Sequence, residues 1–224
     1  MKKTILAVVV FIYSIINVQA QLSRDLIAFR ELDVTDKIQV NLIPSNSDKI
    51  IIEGELANQM ELTQVDDVLR LKMTGSYILQ GNKVNVTLYS TKVSSIIARK
   101  GSVVHVRETE LQQDSLYLSV NEGAELHARV HTNKLQALAT TGARLNLEGE
   151  AREQNVNVAF GGNYLAKNLL SDDATVRINA GGRLEVNASE TVDAQTRAGG
   201  TIDIYGNPKK KKDKRIAGGK INYL

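Results

Sequence analysis

From about residue 96 onward, apolar and polar positions alternate with a period of two, and the alternation restarts at a regular interval. Each restart is marked by a glycine: Gly101, Gly123, Gly142, Gly162, Gly181, Gly199 and Gly218, spaced by 22, 19, 20, 19, 18 and 19 residues. Three positions after each marker stand Val104, Leu126, Leu145, Leu165, Leu184, Ile202 and Ile221. Five positions after stand Val106, Ala128, Leu147, Lys167, Val186, Ile204 and Tyr223, with Lys167 alone breaking the apolar rule. A second apolar stretch lies before the next marker, as in Leu116–Val120, Leu135–Leu138, Val156–Val158, Val176–Ile178 and Val192–Ala194. A fixed period of this size marks a solenoid, in which each unit buries its apolar side against its neighbours.

The pattern predicts an all-β fold: a right-handed parallel β-helix (solenoid) of about 19–20 residues per coil, with a less regular β N-terminal part. Alternate side chains enter a narrow core and the others face solvent. Glycine suits the corners because it tolerates positive φ. A leucine-rich repeat has a similar period, but its L-x-x-L-x-L-x-x-N phrase is missing. An antiparallel sandwich gives short strands at this spacing but does not explain the returning glycine phrase.

Ahead of the repeat, Ile38–Leu42, Ile50–Gly54, Val68–Met73 and Val84–Tyr89 alternate as strands, with turns at Pro44–Asp48, Gly75 and Gly81-Asn82. Residues 56–67 suit a short helix or an irregular loop. The expected division is a signal peptide over 1–20 and one domain over 21–224. Within that domain, 22–95 caps one end or forms irregular first coils, and 96–224 carries the repeats.

The signal reading rests on Lys2 and Lys3, the apolar run Ile5–Ile16, and Val18-Gln19-Ala20 at the positions a signal peptidase reads. Cleavage is expected before Gln21. The run is too short for a membrane anchor, which takes roughly 20 apolar residues. The chain has no cysteine, which excludes disulfides, thiolate metal sites and a lipoprotein anchor.

The net charge of +3 comes from 28 basic and 25 acidic residues. Without Lys2 and Lys3 the balance is 26 to 25, and Lys209–Arg215 alone holds six basic residues and one acidic. The basicity is one local cluster, and no aromatic residue is interleaved with it to stack bases, so nucleic acid is not an expected partner.

The segment Phe29–Val34 with Ile38-Gln39-Val40, the unit Val176–Gly182, and the ending Ile204–Pro208 followed by Gly218–Ile221 resemble the head GIN domain family of auto-transporter adhesins. The resemblance covers nearly the whole chain after residue 20. It implies an exported β-helical protein of Bacteroidetes-type bacteria, in a family of unknown function with no active-site residues to carry over. The lysine run after Pro208 departs from the family's shorter polar loop.

Candidate chemistry is thin. His105 and His127 hold matching slots four residues after their markers, so both should face outward, stacked roughly 5 Å apart, with His131 extending the group. No carboxylate or cysteine pattern completes a metal site. Asp172, Asp173, Arg177 and Arg183 are the set that a glycan-cleaving β-helix enzyme would need to bring together, although Asp172-Asp173 and Asp66-Asp67 read better as turn residues. Asn146, Asn155, Asn157, Asn179 and Asn187 suggest an asparagine ladder. No cofactor motif is present.

The one segment with a candidate ligand is the run Lys209, Lys210, Lys211, Lys212, Lys214 and Arg215. It could hold anionic glycans, lipopolysaccharide or the envelope surface, or it could be a solvated loop guarding the last coil. The leading expectation is a non-catalytic, exported cell-envelope protein of the periplasm or cell surface, acting as a binding or adhesion module. The alternatives are a polysaccharide-processing β-helix enzyme and a self-assembling structural envelope subunit, the latter implying a homo-oligomer.

Overall fold

The structure is a computed structural model that describes residues 22–224; the signal segment read over 1–20 lies outside the described residues. The strands before the repeat are β1 (Leu22–Asp25), β2 (Glu31–Val34), β3 (Gln39–Pro44), β4 (Lys49–Glu53), β5 (Met60–Val65), β6 (Val68–Met73) and β7 (Asn85–Ser90). The repeat contributes β8 (Ser95–Ala98), β9 (Val103–Val106), β10 (Leu111–Val120), β11 (Glu125–Thr140), β12 (Arg144–Ala159) and β13 (Asn163–Leu170). It closes with β14 (Asp173–Asn179), β15 (Arg183–Asn187), β16 (Thr191–Arg197), β17 (Thr201–Tyr205), β18 (Lys210–Ile216) and β19 (Lys220–Tyr223).

These strands form one hydrogen-bonded sheet wound into a β-solenoid with two long faces. The first face stacks β7, β3, β9, the first halves of β11 and β12, then β13, β15, β17 and β19, all parallel. The second face stacks β6, β2, β8, β10, the second halves of β11 and β12, then β14, β16 and β18, also parallel.

Seven coils pass from the second face to the first through a two-residue turn: Lys100-Gly101, Glu122-Gly123, Thr141-Gly142, Phe160-Gly161, Ala180-Gly181, Ala198-Gly199 and Ala217-Gly218. In each, φ lies between 49° and 58° at the first residue and between 70° and 94° at the glycine. Two successive positive φ values give the tight turn that a right-twisted ribbon accepts.

The fourth unit corrects the sequence register. Its turn glycine is Gly161, not Gly162, so the inward pair is Tyr164 and Ala166, both fully buried. Leu165 and Lys167 face outward. The Lys167 exception was therefore a one-residue slip, which in a strand exchanges the two faces. Lys167 does mark a distortion: Asn146 pairs with Leu165 but Glu148 pairs with Asn168, so β13 carries one extra residue as a bulge.

The second glycine of each Gly-Gly pair answers a different demand. At Gly182 a Cβ would stand 2.6 Å from the Gly162 carbonyl oxygen and 2.8 Å from Val158 Cγ1. The preceding coil comes too close there for any side chain.

The repeat extends further back than its glycines reveal. β2 and β3 form a coil of their own, joined by Asp36-Lys37 with φ of 63° and 65°, and they stack on β8 and β9. β6 and β7 form the next coil outward, joined by a longer excursion through residues 74–84. Three antiparallel strands then close that end: β4 on β7, β1 on β4, and β5 on β6. β4 thus returns on β7 and not on β3. Residues 56–67 hold a short 3-10 turn at Ala57–Gln59 and also most of β5.

The other end is guarded by charge. On the second face the inward columns read Leu116, Leu135, Gln154, Ala174, Val192, Lys211, then Leu118, Ala137, Val156, Val176, Ala194, Asp213, and Val120, Ala139, Val158, Ile178, Thr196, Arg215. All members through β16 are buried, whereas the β18 members are exposed and charged. The lysine run is not a loop but the last strand of the second face.

Candidate functional site

Residues four positions after each turn glycine form one outward column on the first face: His105, His127, Asn146, Leu165, Glu185, Asp203 and Asn222, continued by Asn41 on the preceding coil. The parallel register places each side chain above its equivalent, one strand spacing away. The His105 and His127 rings stack as the spacing predicts, with centroids 4.7 Å apart and planes 22° from parallel. His127 is fixed from both sides: Glu125 Oε2 lies 3.4 Å from its Nε2, and Asn146 Nδ2 lies 3.2 Å from its Nδ1.

A groove of about 990 Å³ runs along this column. Its floor is the stretch from His105 to Glu185, and one wall is the segment Arg107–Glu110. That wall is where the first interval, 22 residues instead of the next 19, places its extra length. The next three coils continue through this corner as strand in β11, β12 and β13, whereas this one leaves the sheet between β9 and β10. The bulge at Lys167 lies on the groove as well.

The groove side chains are held by one another. Arg129 donates to Glu148 Oε1 from Nε at 3.1 Å and Nη2 at 2.9 Å. Arg107 Nε donates to Asn41 Oδ1 at 3.3 Å. Lys167 Nζ sits 4.8 Å from the centre of the Tyr205 ring, and its carbonyl accepts from Asn187 Nδ2 at 3.0 Å. Arg183 holds Glu185 at 2.7 Å. Desolvation, then the neighbouring His127 and Arg107, hold the His105 imidazole below its ordinary pKa, so it is neutral at neutral pH.

The remaining sequence candidates separate. His131 does not extend the histidine stack; it lies at the next corner, with Nδ1 3.7 Å from Glu150 Oε2. The asparagines do not form a ladder: Asn155 stacks between Gln136 and Thr175, and Asn157 between Leu138 and Arg177. Arg177 lies on the second face, 2.9 Å from Asp193 Oδ1, while Arg183 lies on the first. With Asp172 in the corner before β14, the carboxylate–arginine set does not converge. Among the described residues no group of three or more His, Cys, Asp or Glu side chains is placed to hold a metal ion.

Of the lysine run, Lys209 is 2.5 Å from Glu190 Oε1 and Lys212 is 2.9 Å from Asp193 Oδ2. Lys211 Nζ lies 4.8 Å from the centre of the Tyr223 ring, and Arg215 pairs with Asp213 at 3.3 Å. Lys210 and Lys214 point outward in register with Thr191 and Gln195. The Lys212 hydrogen bond, backed by Arg177, holds the Asp193 carboxyl below its ordinary range against the opposing effect of burial.

One further cluster escaped the sequence reading. Asp33, buried on β2, accepts from Arg99 Nη2 at 2.5 and 2.6 Å and from Arg70 Nε at 2.9 Å. It joins three coils through charge-assisted bonds. Nothing in the chain spacing announces it, because the β6 coil stacks out of sequence order.

Fold and groove define a β-solenoid protein whose outward residues act in columns. Its family model places it more closely: the chain belongs to the family described as "Putative auto-transporter adhesin, head GIN domain", which matches residues 28–208. A search of curated proteins finds no match. Among solved structures, it is similar to a putative adhesin from Bacteroides fragilis NCTC 9343, with a TM-score of 0.82 and 22% identity over 92% of this chain and 97% of that one. A putative adhesin from Parabacteroides distasonis ATCC 8503 aligns with a TM-score of 0.71 and 15% identity over 92% and 96% of the two chains. A protein named as a putative lipid binding protein from the same strain aligns with a TM-score of 0.64 and 12% identity over 91% and 97%. At these identities the neighbours show a shared fold.

Proposed function

We propose that this protein is a non-catalytic binding or adhesion module, exported to the periplasm or the cell surface, that engages extended partners through the outward columns of its solenoid. The observation that carries the reading is the register of the first face, which turns residues about 19 positions apart in sequence into one groove floor. A rigid surface repeating at the strand spacing suits a long or repetitive partner. The adhesin description of the family points the same way. Among the described residues no helix is long and apolar enough to cross a membrane.

Support for a non-catalytic role comes from the scattering of Asp172, Asp173, Arg177 and Arg183, which leaves the polysaccharide-cleaving alternative without its proposed residues. Anionic headgroups or acidic glycans have a second place to act, at Lys210 and Lys214 on the exposed outer side of β18. The test is co-sedimentation of purified protein with whole bacterial cells, isolated envelopes and insoluble polysaccharides, with product release assayed in parallel. Binding without product release is the expected result. Failure to bind any of these, or release of soluble sugars, would defeat the reading.

A further inference from the structure

We infer that the groove between the Arg107–Glu110 wall and the Lys167 bulge is a binding site for an uncharged glycan chain, lying along the solenoid axis across five coils. The inference rests on the binding-module reading and names its ligand class.

Length and shape come first. The floor column advances one strand per coil from His105 to Glu185, so the trough is roughly 19 Å long at the strand spacing of about 4.8 Å. With a volume of about 990 Å³ it is large enough for several sugar rings. It is open to solvent along one side of the fold, and its floor is made of side chains on paired strands. A peptide seeking a free sheet edge finds none there.

The lining then sorts ligand classes. Arg107, Arg129 and Lys167 are met by Glu108, Glu110, Glu148 and Glu185, so the two signs nearly cancel along the groove. A polyanion would face four carboxylates, and a polycation three basic side chains, each a like-charge approach that disfavours binding. The apolar lining amounts to a few aliphatic side chains, chiefly Leu165 on the floor, too few to hold an acyl chain. A neutral chain of hydroxyl groups has no such conflict. Each hydroxyl both donates and accepts, and the lining offers groups that do one or both: imidazole, carboxamide, carboxylate and guanidinium.

The groove is also preorganised. His127 is fixed between Glu125 and Asn146, and Arg129 by its two bonds to Glu148. Side chains already held need little ordering when a flexible chain settles on them. The neutral state of His105 leaves its imidazole with one acceptor nitrogen to meet a sugar hydroxyl.

The experiment is a glycan array followed by calorimetry on the retained compounds, using neutral oligosaccharides beside sulfated and uronic-acid oligosaccharides of the same length. Retention of neutral chains is expected, with affinity for the best of them lowered about tenfold in His127→Ala and in Arg129→Ala, as loss of one or two hydrogen bonds implies. Thr109→Trp, on the exposed wall, should block the groove without touching the core. Gln136→Ala, exposed on the other face, should bind as the parent does. Retention of acidic glycans only, of no glycan, or of neutral glycans equally by His127→Ala and Thr109→Trp would overturn the inference. If the parent protein binds whole cells but retains no neutral glycan, the glycan site is wrong but the module reading stands. If the parent protein binds no cells, the module reading itself falls.

Discussion

Tyr164 and Gln154 meet inside the solenoid, where the buried phenol donates a 2.6 Å hydrogen bond to Gln154 Oε1. The link continues: Gln154 Nε2 donates to Ser171 Oγ at 2.9 Å, and Ser171 Oγ donates to the Asn187 carbonyl at 2.6 Å. The inward positions around it are mostly apolar, and this chain of polar groups satisfies itself. Each inward glutamine or tyrosine would be a liability alone, and together they set which strands face each other across the core.

Tyr164→Phe should therefore destabilise the fold by about 1–3 kcal/mol, because it leaves the Gln154 oxygen buried without a donor. The parent protein has a further signature. Burial pushes the Tyr164 phenol far above its ordinary pKa. The unfolded chain then releases that proton first as pH rises through about 10, so stability present below that pH is lost above it. Thermal unfolding from about pH 8 to pH 11 should show a steeper fall for the parent than for Tyr164→Phe. Parallel curves would remove the link from any role in stability.

Leu145 sits in the inward column between Leu126 and Tyr164 and is fully buried. Leu145→Asp places a charge between coils with no partner, a loss of more than about 4 kcal/mol. The variant should fail to give a cooperative thermal transition, as read by circular dichroism.

His105 carries an acid response. Its pKa in the fold is lowered by desolvation, then by His127 and Arg107. As pH falls through about 6.5, the unfolded chain takes up the proton before the native one does. Stability that is complete above that pH is lost below it. His105→Gln should therefore lose less thermal stability than the parent between about pH 7.5 and pH 5.5. Equal losses in the two proteins would assign the acid response elsewhere.

Lys211, Asp213 and Arg215 end three apolar inward columns with charge. Charged side chains at the inward positions of a terminal strand deter further strands from adding. Replacing them together by Leu, Val and Val should continue the apolar columns to an open end and cause concentration-dependent association. Size-exclusion chromatography with light scattering would show it, and an unchanged mass at every concentration would remove the charges from that role.

Phe160 occupies the left-handed turn position with φ of 49° and is 65% exposed. A bulky residue there carries backbone strain without burial to offset it. Phe160→Gly should raise Tm by a few degrees, in line with a gain of about 1 kcal/mol. A lowered Tm would mean that the ring contributes packing at this corner.

Much of this molecule is local and could be read from the chain. Alternation with a period of two fixes which side chains can share a face, and the recurrent glycine marks where φ must turn positive. Those two rules gave the solenoid, its coil length, and the His105–His127 stack, because stacking in register needs only the same offset from the turn glycine. Gly161-Gly162 defeated the same rules: two adjacent glycines offer two registers, and only the packing of Tyr164 against Gln154 chooses between them.

Tertiary structure alone decided the rest. The β2–β3 coil turns on Asp36-Lys37 without a glycine, and the β6–β7 coil enters the stack out of sequence order, so neither has a periodic signal. The lysine run reads as a loop by composition, but backbone pairing with β16 makes it a strand, since six charges tolerate an edge when one side faces water. The groove was present in the sequence only as an interval of 22 in place of 19. Length could show that residues had been added; only the stacking of neighbouring coils could show which column they wall.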